Sequence, residues 1–391
     1  MSVWHECVAI LVRDSRLVQP SGLPELINEA LRLVRVEATV YLVDREQMAL
    51  RALPRAGRAT PEPMAVEATV AGRAYMTQEV VVPPGQSDRM WLPLVDDTER
   101  LGAIELQLPA DLSPEDPQVR SGAVLFALAL GDLIIGKLPY GDTINRTRRS
   151  QPMSTEGEML WRTLPPLTCT TSELTVAAVL EPCYDVGGDA FDYAVDYQHL
   201  RVAIVDAVGH GLTAALTCTL TLAATRAART AGLGLTATAA AADKAITSQF
   251  QDSRYATAVL AELNTATGLV RYINAGHPPA ALMREGRIVA SLDAAPRTPL
   301  GLPEPCQIAE YELQPGDRLI FYTDGIVDAR DADGQFFGID RLVDAAERHT
   351  ASGLPAPETL RRLARAVVDH QEGTLQDDAT LVIVDWHPGS R

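Results

Sequence analysis

The sequence predicts an α+β protein built from two domains, and three observations predict it. The chain has 391 residues, a length more natural for two cores than for one. Hydrophobic residues make up 47% and charged residues 22%, which is the composition of packed domains and not of a disordered chain. Apolar strand-like runs joined by polar turns come in blocks with helical stretches, which favours layered α+β packing over a doubly wound parallel sheet.

Residues 23–35 form the first predicted helix, because Leu26, Ile27, Ala30, Leu31 and Val34 recur at helical spacing. Ala38–Asp44 is rich in β-formers, with Ala49–Leu53 as its hairpin partner. Met90–Val95 and Leu101–Leu108 flank the polar turn Asp96-Asp97-Thr98-Glu99-Arg100 and read as a second hairpin. Pro117–Leu138 reads as a long apolar helix. Asp132 interrupts its most apolar stretch and Lys137 closes it, so a buried or dimer-facing helix is expected here, not a membrane span. Residues 139–157 hold Pro139, Gly141, Pro152 and Gly157 among Arg146, Arg148 and Arg149, and read as a polar linker. Glu158–Leu164 is a short helical piece ended by Pro165-Pro166. Strands follow at Glu173–Glu181, Phe191–Tyr197, Arg201–Asp206, Tyr255–Leu263, Val270–Asn274, Arg318–Thr323 and Thr380–Asp385. Two Ala-rich helices at about 212–230 and 236–250, and two amphipathic ones at about 338–349 and 357–370, complete the second domain.

The chain carries 34 Lys+Arg against 51 Asp+Glu, a net charge of −17. Residues 151–391 account for −13 of it and residues 1–150 for −4. This balance argues against nucleic acid, which needs a basic footprint, and against an anionic membrane surface; it suits cations. Cys7, Cys169, Cys183, Cys218 and Cys306 are odd in number and show no C-x-x-C spacing, so neither a disulfide framework nor a zinc site is expected. With no signal-peptide pattern at the N-terminus, a reducing cytoplasm is the expected location.

Four acids stand at strand ends beside glycine or a second acid: Asp189 in Val186-Gly187-Gly188-Asp189, Asp206 in Asp206-Ala207-Val208-Gly209-His210-Gly211, Asp324 in Thr323-Asp324-Gly325, and Asp377 in Asp377-Asp378-Ala379-Thr380. A hairpin turning around Gln198-His199 pairs positions that sum to about 397. Position 189 then falls opposite 208, and Asp189 and Asp206 lie near one end. If the strands 318–323 and 380–386 pair antiparallel, Asp324 and Asp377 reach a common sheet edge. Asp-Gly is also a common turn dipeptide, so each acid alone reads as a turn residue. Four together repel unless protons or cations intervene. Hard divalent cations take oxygen ligands, and a pair of them suits phosphate-ester hydrolysis.

These motifs, together with Asn274-Ala275-Gly276-His277-Pro278-Pro279 and Pro315-Gly316-Asp317, occur in an order that resembles the SpoIIE/RsbU-type phosphatases. These are the bacterial branch of the metal-dependent (PPM, type 2C) serine/threonine protein phosphatases. The resemblance covers about 158–387 and implies a β-sandwich flanked by helices, in α-β-β-α layers, over 158–391. It implies two Mn²⁺ or Mg²⁺ ions held by Asp189, Asp206, the carbonyl of Ala207, Asp324 and Asp377, and direct hydrolysis of phosphoserine or phosphothreonine by water. The implied substrate is a phosphorylated STAS-type anti-sigma-factor antagonist. Ala190-Phe191 stands where two aromatics are usual, and no Arg adjoins Gly187-Gly188 to clamp phosphate.

Helix, hairpin, helix, hairpin, helix over about residues 10–138 resembles a GAF domain, a small sensory module, and sets the expected first domain at 1–138. Val70-Ala71-Gly72-Arg73-Ala74 resembles its mid-domain helix start, and Trp91-Leu92-Pro93-Leu94 with Leu101–Leu106 its last strands. The combined expectation is a sensor-controlled phosphatase, dimeric through 117–138. A catalytically weak partner-binding module and a small-molecule receptor are the alternatives. His210 and His277 are either general acids or structural loop residues. Asp378 competes with Asp377 as a ligand. Asp331-Ala332-Asp333-Gly334 reads as a plain turn, because a calcium loop would need Glu where Leu342 stands.

Overall fold

A computed structural model describes residues 3–185, 187–250, 254–351, 353–373 and 375–388. Val186, quoted in the first acidic motif, lies outside them. The chain divides into two compact units, Met1–Pro152 and Met153–Arg391.

The first unit contains α1 (Val3–Ser15), α2 (Leu23–Ala30), β1 (Glu37–Val43), β2 (Ala49–Ala52), β3 (Met64–Ala65), α3 (Val70–Thr77), β4 (Arg89–Asp96), β5 (Glu99–Gln107), α4 (Pro117–Lys137) and α5 (Thr143–Thr147). Its antiparallel sheet has the order β3-β2-β1-β5-β4, so both expected hairpins are present. The helix expected over 23–35 is shorter: α2 ends at Ala30, a 3₁₀ turn follows, and Arg35 at φ +56° stops it. Helix α1 was not anticipated, although Trp4, Cys7 and Leu11 mark its buried stripe.

Helix α4 is long and apolar enough to cross a membrane by composition, yet it packs as a core helix. A Cβ placed on Gly122 would lie 2.2 Å from Cγ of Trp4, and one on Gly131 would lie 1.7 Å from the carbonyl oxygen of Val95. These two glycines let α4 approach α1 and β4 closely, burying Val119, Phe126, Leu130 and Ile134. Leu125 (39% exposed) and Leu128 (46%) face outward.

Residues 139–157, expected as an open linker, are mostly structured. A 3₁₀ turn at Leu138–Tyr140 leads into α5, and buried Arg148 donates from Nε to the carbonyl of Val43 at 3.1 Å. The contacts therefore divide the chain between Pro152 and Met153.

The second unit contains α6 (Thr155–Thr163), β6 (Thr168–Thr170), β7 (Leu174–Glu181), β8 (Asp189–Asp196), β9 (His199–Ala207), α7 (Gly211–Thr230), α8 (Leu235–Gln249), β10 (Ala256–Asn264), β11 (Leu269–Ala275), β12 (Ala280–Arg284), β13 (Arg287–Leu292), β14 (Pro296–Arg297), β15 (Ala309–Glu312), β16 (Arg318–Tyr322), α9 (Asp324–Val327), α10 (Gly338–Ala351), α11 (Ala356–His370) and β17 (Ala379–Trp386). One sheet has the order β14-β11-β10-β9-β8, with β15 also on β11. The other has the order β13-β12-β16-β17-β7-β6.

Strand alternation makes the layers. Val202 and Ile204 of β9 join Phe321 of β16 and Val382 of β17 in the core between the sheets. Ala203 and Val205 point the other way, onto Ala214, Cys218 and Leu222 of α7 and Ala239 and Ile246 of α8. On the far face, Ile320 and Ile383 meet Leu342 of α10 and Leu360 and Leu363 of α11. The unit is thus an α-β-β-α sandwich, as the resemblance implied. Helix α7 is also pinned by charge: buried Asp192 takes Arg226 at 2.6 Å and Arg229 at 2.7 Å.

Candidate active site

Two antiparallel ladders carry the acids. In the β8–β9 hairpin, Asp196 pairs with His199 and Asp189 pairs with Asp206, so paired positions sum to 395. The expectation of a partner at 208 is corrected. The loop is the two-residue Tyr197-Gln198, with Tyr197 at φ +51°, one residue earlier than expected, which moves each partner by two positions. The correction brings the two acids directly opposite one another. In the second sheet, Tyr322 pairs with Leu381, and the amide of Thr323 donates to the carbonyl of Thr380 at 3.1 Å at the ladder's end. Asp324 follows one of these residues and Asp377-Asp378 precedes the other. Gly325 lies against this junction, where a Cβ would come within 1.9 Å of the carbonyl oxygen of Asp378.

The sheets meet through Thr323, a residue that sequence reasoning passed over. Its buried hydroxyl donates to Oδ2 of Asp189 at 2.6 Å and accepts from the amide of Thr380 at 2.9 Å. Asp378 makes the second link. Its Oδ2 accepts from the amide of Gly187 at 2.9 Å and also from the amide of Gly188. That carboxylate is committed to holding the glycine loop, whereas Asp377 is exposed and accepts from the amide of Asp378 at 2.9 Å. This division of labour favours Asp377 over Asp378 as a cation ligand.

The acids feel one another. Burial, then Asp324, Asp377 and Asp378, push the Asp206 carboxyl up to about 7. Burial, then Asp206 and Asp378, raise Asp189 well above the usual carboxylate range. Burial and Asp377 raise Asp324. Such mutual raising means that the full negative charge is costly without a counter-cation.

The donors around this cluster are oxygens. The amide of Ala207 donates to the carbonyl of Gly188 at 2.7 Å. A Cβ placed on Gly188 would lie 3.3 Å from each of three oxygens: the carbonyls of Ala207 and Gly209 and Oδ2 of Asp378. Carboxylates and carbonyls without nitrogen or sulfur fit a hard divalent cation. Among the described residues, no three His, Cys, Asp or Glu side chains are gathered tightly enough to enclose an ion on their own. A loose oxygen set of this kind fits a cation that keeps part of its hydration, as Mg²⁺ does.

The histidines separate. His277 is 4% exposed, and its Nδ1 lies 2.8 Å from Oγ1 of Thr257, which pairs with Asp206 across β9–β10. Asn274 clamps the loop by accepting from the His277 amide and donating to its carbonyl, both at 2.8 Å. Burial lowers the His277 imidazole to about 4, so it is neutral and structural at pH 7. His210 is exposed at the N-terminus of α7. Asp331 is a turn residue, its Oδ1 accepting from the amides of Asp333 and Gln335. Buried Cys218 donates from its thiol to the carbonyl of Gly188 at 2.7 Å, from beneath the site.

Residues 196–387 match the family model for stage II sporulation protein E, SpoIIE. Most of the C-terminal unit is therefore similar to SpoIIE. The chain is 25% identical over 273 residues to Protein IcfG of Synechocystis, covering 62% of this chain and 42% of that protein. It is 23% identical over 214 residues to phosphoserine phosphatase RsbU of Bacillus subtilis, covering 54% and 63%. With phosphoserine phosphatase RsbP of the same species the identity is 30% over 151 residues, covering 37% of each chain. The chain therefore spans less than two thirds of the length of each of these relatives. Among solved structures, the SiaA PP2C domain of Pseudomonas aeruginosa aligns at 24% identity and TM-score 0.49, covering 54% of this chain and 85% of that one. The RsbU and RsbW domains of Rv1364c from Mycobacterium tuberculosis align at 25% and 0.48, covering 59% and 64%. The SpoIIE-type match takes in Asp206, Asp324 and Asp377 and begins after Asp189, which the β8–β9 ladder ties to Asp206.

Proposed function

We propose that this chain is a metal-dependent protein phosphatase that hydrolyses phosphoserine or phosphothreonine on a regulatory protein. The observation that carries the reading is the Asp189–Asp206 pair facing the Asp324/Asp377 junction, an all-oxygen cluster that raises its own pKa values. RsbU and RsbP, both phosphoserine phosphatases by name, support it. Asp206, the carbonyl of Ala207, Asp324, Asp377 and Asp189 would hold two Mn²⁺ or Mg²⁺ ions. Bound there, such ions supply positive charge to phosphoryl oxygens and acidify water. The chain's own residues do the rest. Thr323 fixes the Asp189 carboxylate, Asp378 shapes the Gly187-Gly188 loop, and Thr257 with neutral His277 supports the strand behind Asp206.

The same reading assigns the first unit as a GAF-like sensor controlling the phosphatase in the cytoplasm. The substrate is a STAS-type antagonist protein, and the chain is a homodimer through the outward face of α4. The decisive experiment is hydrolysis of p-nitrophenyl phosphate and of phosphoserine STAS proteins by the full chain, with Mn²⁺, with Mg²⁺ and with excess chelator. Turnover that survives chelation ends the reading.

A further inference from the structure

A guanidinium beside the carboxylate cluster would add a directional phosphate contact to the charge of any bound ions, and no Arg adjoins the Gly187-Gly188 loop in sequence. The strand ladder supplies one from elsewhere. Between β9 and β10, Thr257 pairs with Asp206 and Ala256 with Ala207. Continuing that register two residues past the strand end sets Arg254 across from Gly209. The structure agrees: a Cβ placed on Gly209 would lie 3.6 Å from Nη1 of Arg254, its sole neighbour within 4 Å among the described residues. Gly209 sits at φ +90°, a conformation that any side chain would strain, so the guanidinium shares this space with bare backbone. The carbonyl oxygen of Gly209 itself would lie 3.3 Å from a Cβ placed on Gly188, beside the carboxylate of Asp378.

The backbone that carries Arg254 is held from two sides. Tyr255 accepts from the amide of Val208 at 3.1 Å, and Ala256 and Leu300 exchange bonds of 2.9 and 2.8 Å. A Cβ on Gly301 would lie 2.6 Å from the carbonyl oxygen of Arg254. The amide of Gly301 is tied to Asp243 at 2.9 Å, and buried Asp243 takes Arg297 through both oxygens, at 3.0 and 3.1 Å. Arg254 is partly exposed at the end of this braced segment.

We propose that Arg254 is the phosphate-binding residue of the site, contacting a phosphoryl oxygen of the substrate and of the inorganic phosphate product. This rests on the phosphatase reading above. A guanidinium has five N–H donors in a planar fork, so it can keep an intramolecular partner and still take a phosphate. The position explains why the sequence around Gly187-Gly188 shows no clamp: the cation comes from the neighbouring strand, 45 residues after Gly209 in the chain.

The test uses the full chain and the variants Arg254→Gln and Arg254→Lys. Calorimetry measures binding of inorganic phosphate and, separately, of Mn²⁺; melting checks the fold. The expected result is phosphate affinity at least 10-fold weaker in Arg254→Gln and less weakened in Arg254→Lys. Mn²⁺ affinity should stay within about 2-fold, and the melting temperature should hold. KM for p-nitrophenyl phosphate should rise in parallel with the loss of phosphate binding. Unchanged phosphate affinity in a folded Arg254→Gln overturns the proposal, as does an equal loss of Mn²⁺ affinity, which would mark Arg254 as a brace for the Gly209 loop. If the wild type binds phosphate through Arg254 but hydrolyses no ester, the phosphatase reading fails while the phosphate site stands.

Discussion

Asp189 stands directly across the β8–β9 ladder from Asp206, two carboxylates in one cross-strand pair. Like charges in that position oppose the hairpin by up to about 1 kcal/mol. The pair is therefore kept for something other than stability. Replacing Asp206 with Asn should leave the metal-free melting temperature unchanged or raise it by about 2–4 °C. It should also remove nearly all metal-dependent hydrolysis and shrink the rise in melting temperature that Mn²⁺ produces by mass action. A sharp fall in the metal-free melting temperature would make Asp206 a structural residue and sink this assignment.

Asp377 and Asp378 are adjacent but should respond in opposite ways. Asp378 holds the amides of Gly187 and Gly188, so Asp378→Ala leaves buried donors unpaired and should cost about 1–3 kcal/mol, with or without metal. Asp377 is exposed, and Asp377→Asn should barely change the metal-free protein while weakening the Mn²⁺-induced rise in melting temperature. Titrating both variants with Mn²⁺ and following the melt separates the roles. The reverse pattern would reassign the ligand to Asp378.

Much of this site was legible because its acids sit at strand ends, where periodicity and the Gly-rich turns locate them. Asp324 and Asp377 met as expected, since the β16–β17 pairing needed only two well-marked apolar runs. The hairpin register differs by two positions because nothing in Asp196-Tyr197-Gln198-His199 marks which two residues turn; Tyr197 adopts φ +51° without glycine or asparagine. Thr323, Thr257 and Arg254 were invisible for another reason. Their roles come from neighbours brought close by sheet pairing, and a threonine inside a strand reads as an ordinary β-former. Short strands such as β6 and β14 were missed because two or three residues carry no period.

The outward face of α4 bears on assembly. Leu125 and Leu128 are exposed while the opposite face is buried in the core, so Leu128→Glu should fold normally. On the homodimer reading it should shift the full chain from dimer to monomer in light scattering and alter phosphatase activity. A wild type that is monomeric at micromolar concentration removes this route, and any regulation must then run within one chain.

His277 sets a pH dependence whose sign is fixed by its burial. In the folded chain the imidazole stays neutral down to about 4, whereas in the unfolded chain it protonates near 6.5. Below pH 6.5 the unfolded state binds the extra proton, so this contribution to stability is complete above 6.5 and is lost as pH falls toward 4. The loss amounts to about 3 kcal/mol across that window. The acid cluster slopes the other way, because raised carboxyls favour the folded state as pH falls from about 7 toward 4. The wild-type curve alone therefore mixes two opposing trends. Comparing metal-free wild type with His277→Gln isolates the histidine: the variant should lose its hydrogen bond to Thr257 and be less stable at pH 7.5. The gap should narrow steadily on acidification to pH 4.5. A gap that stays constant between those pH values would show that His277 titrates normally, and with it that the imidazole is not sealed behind Asp206.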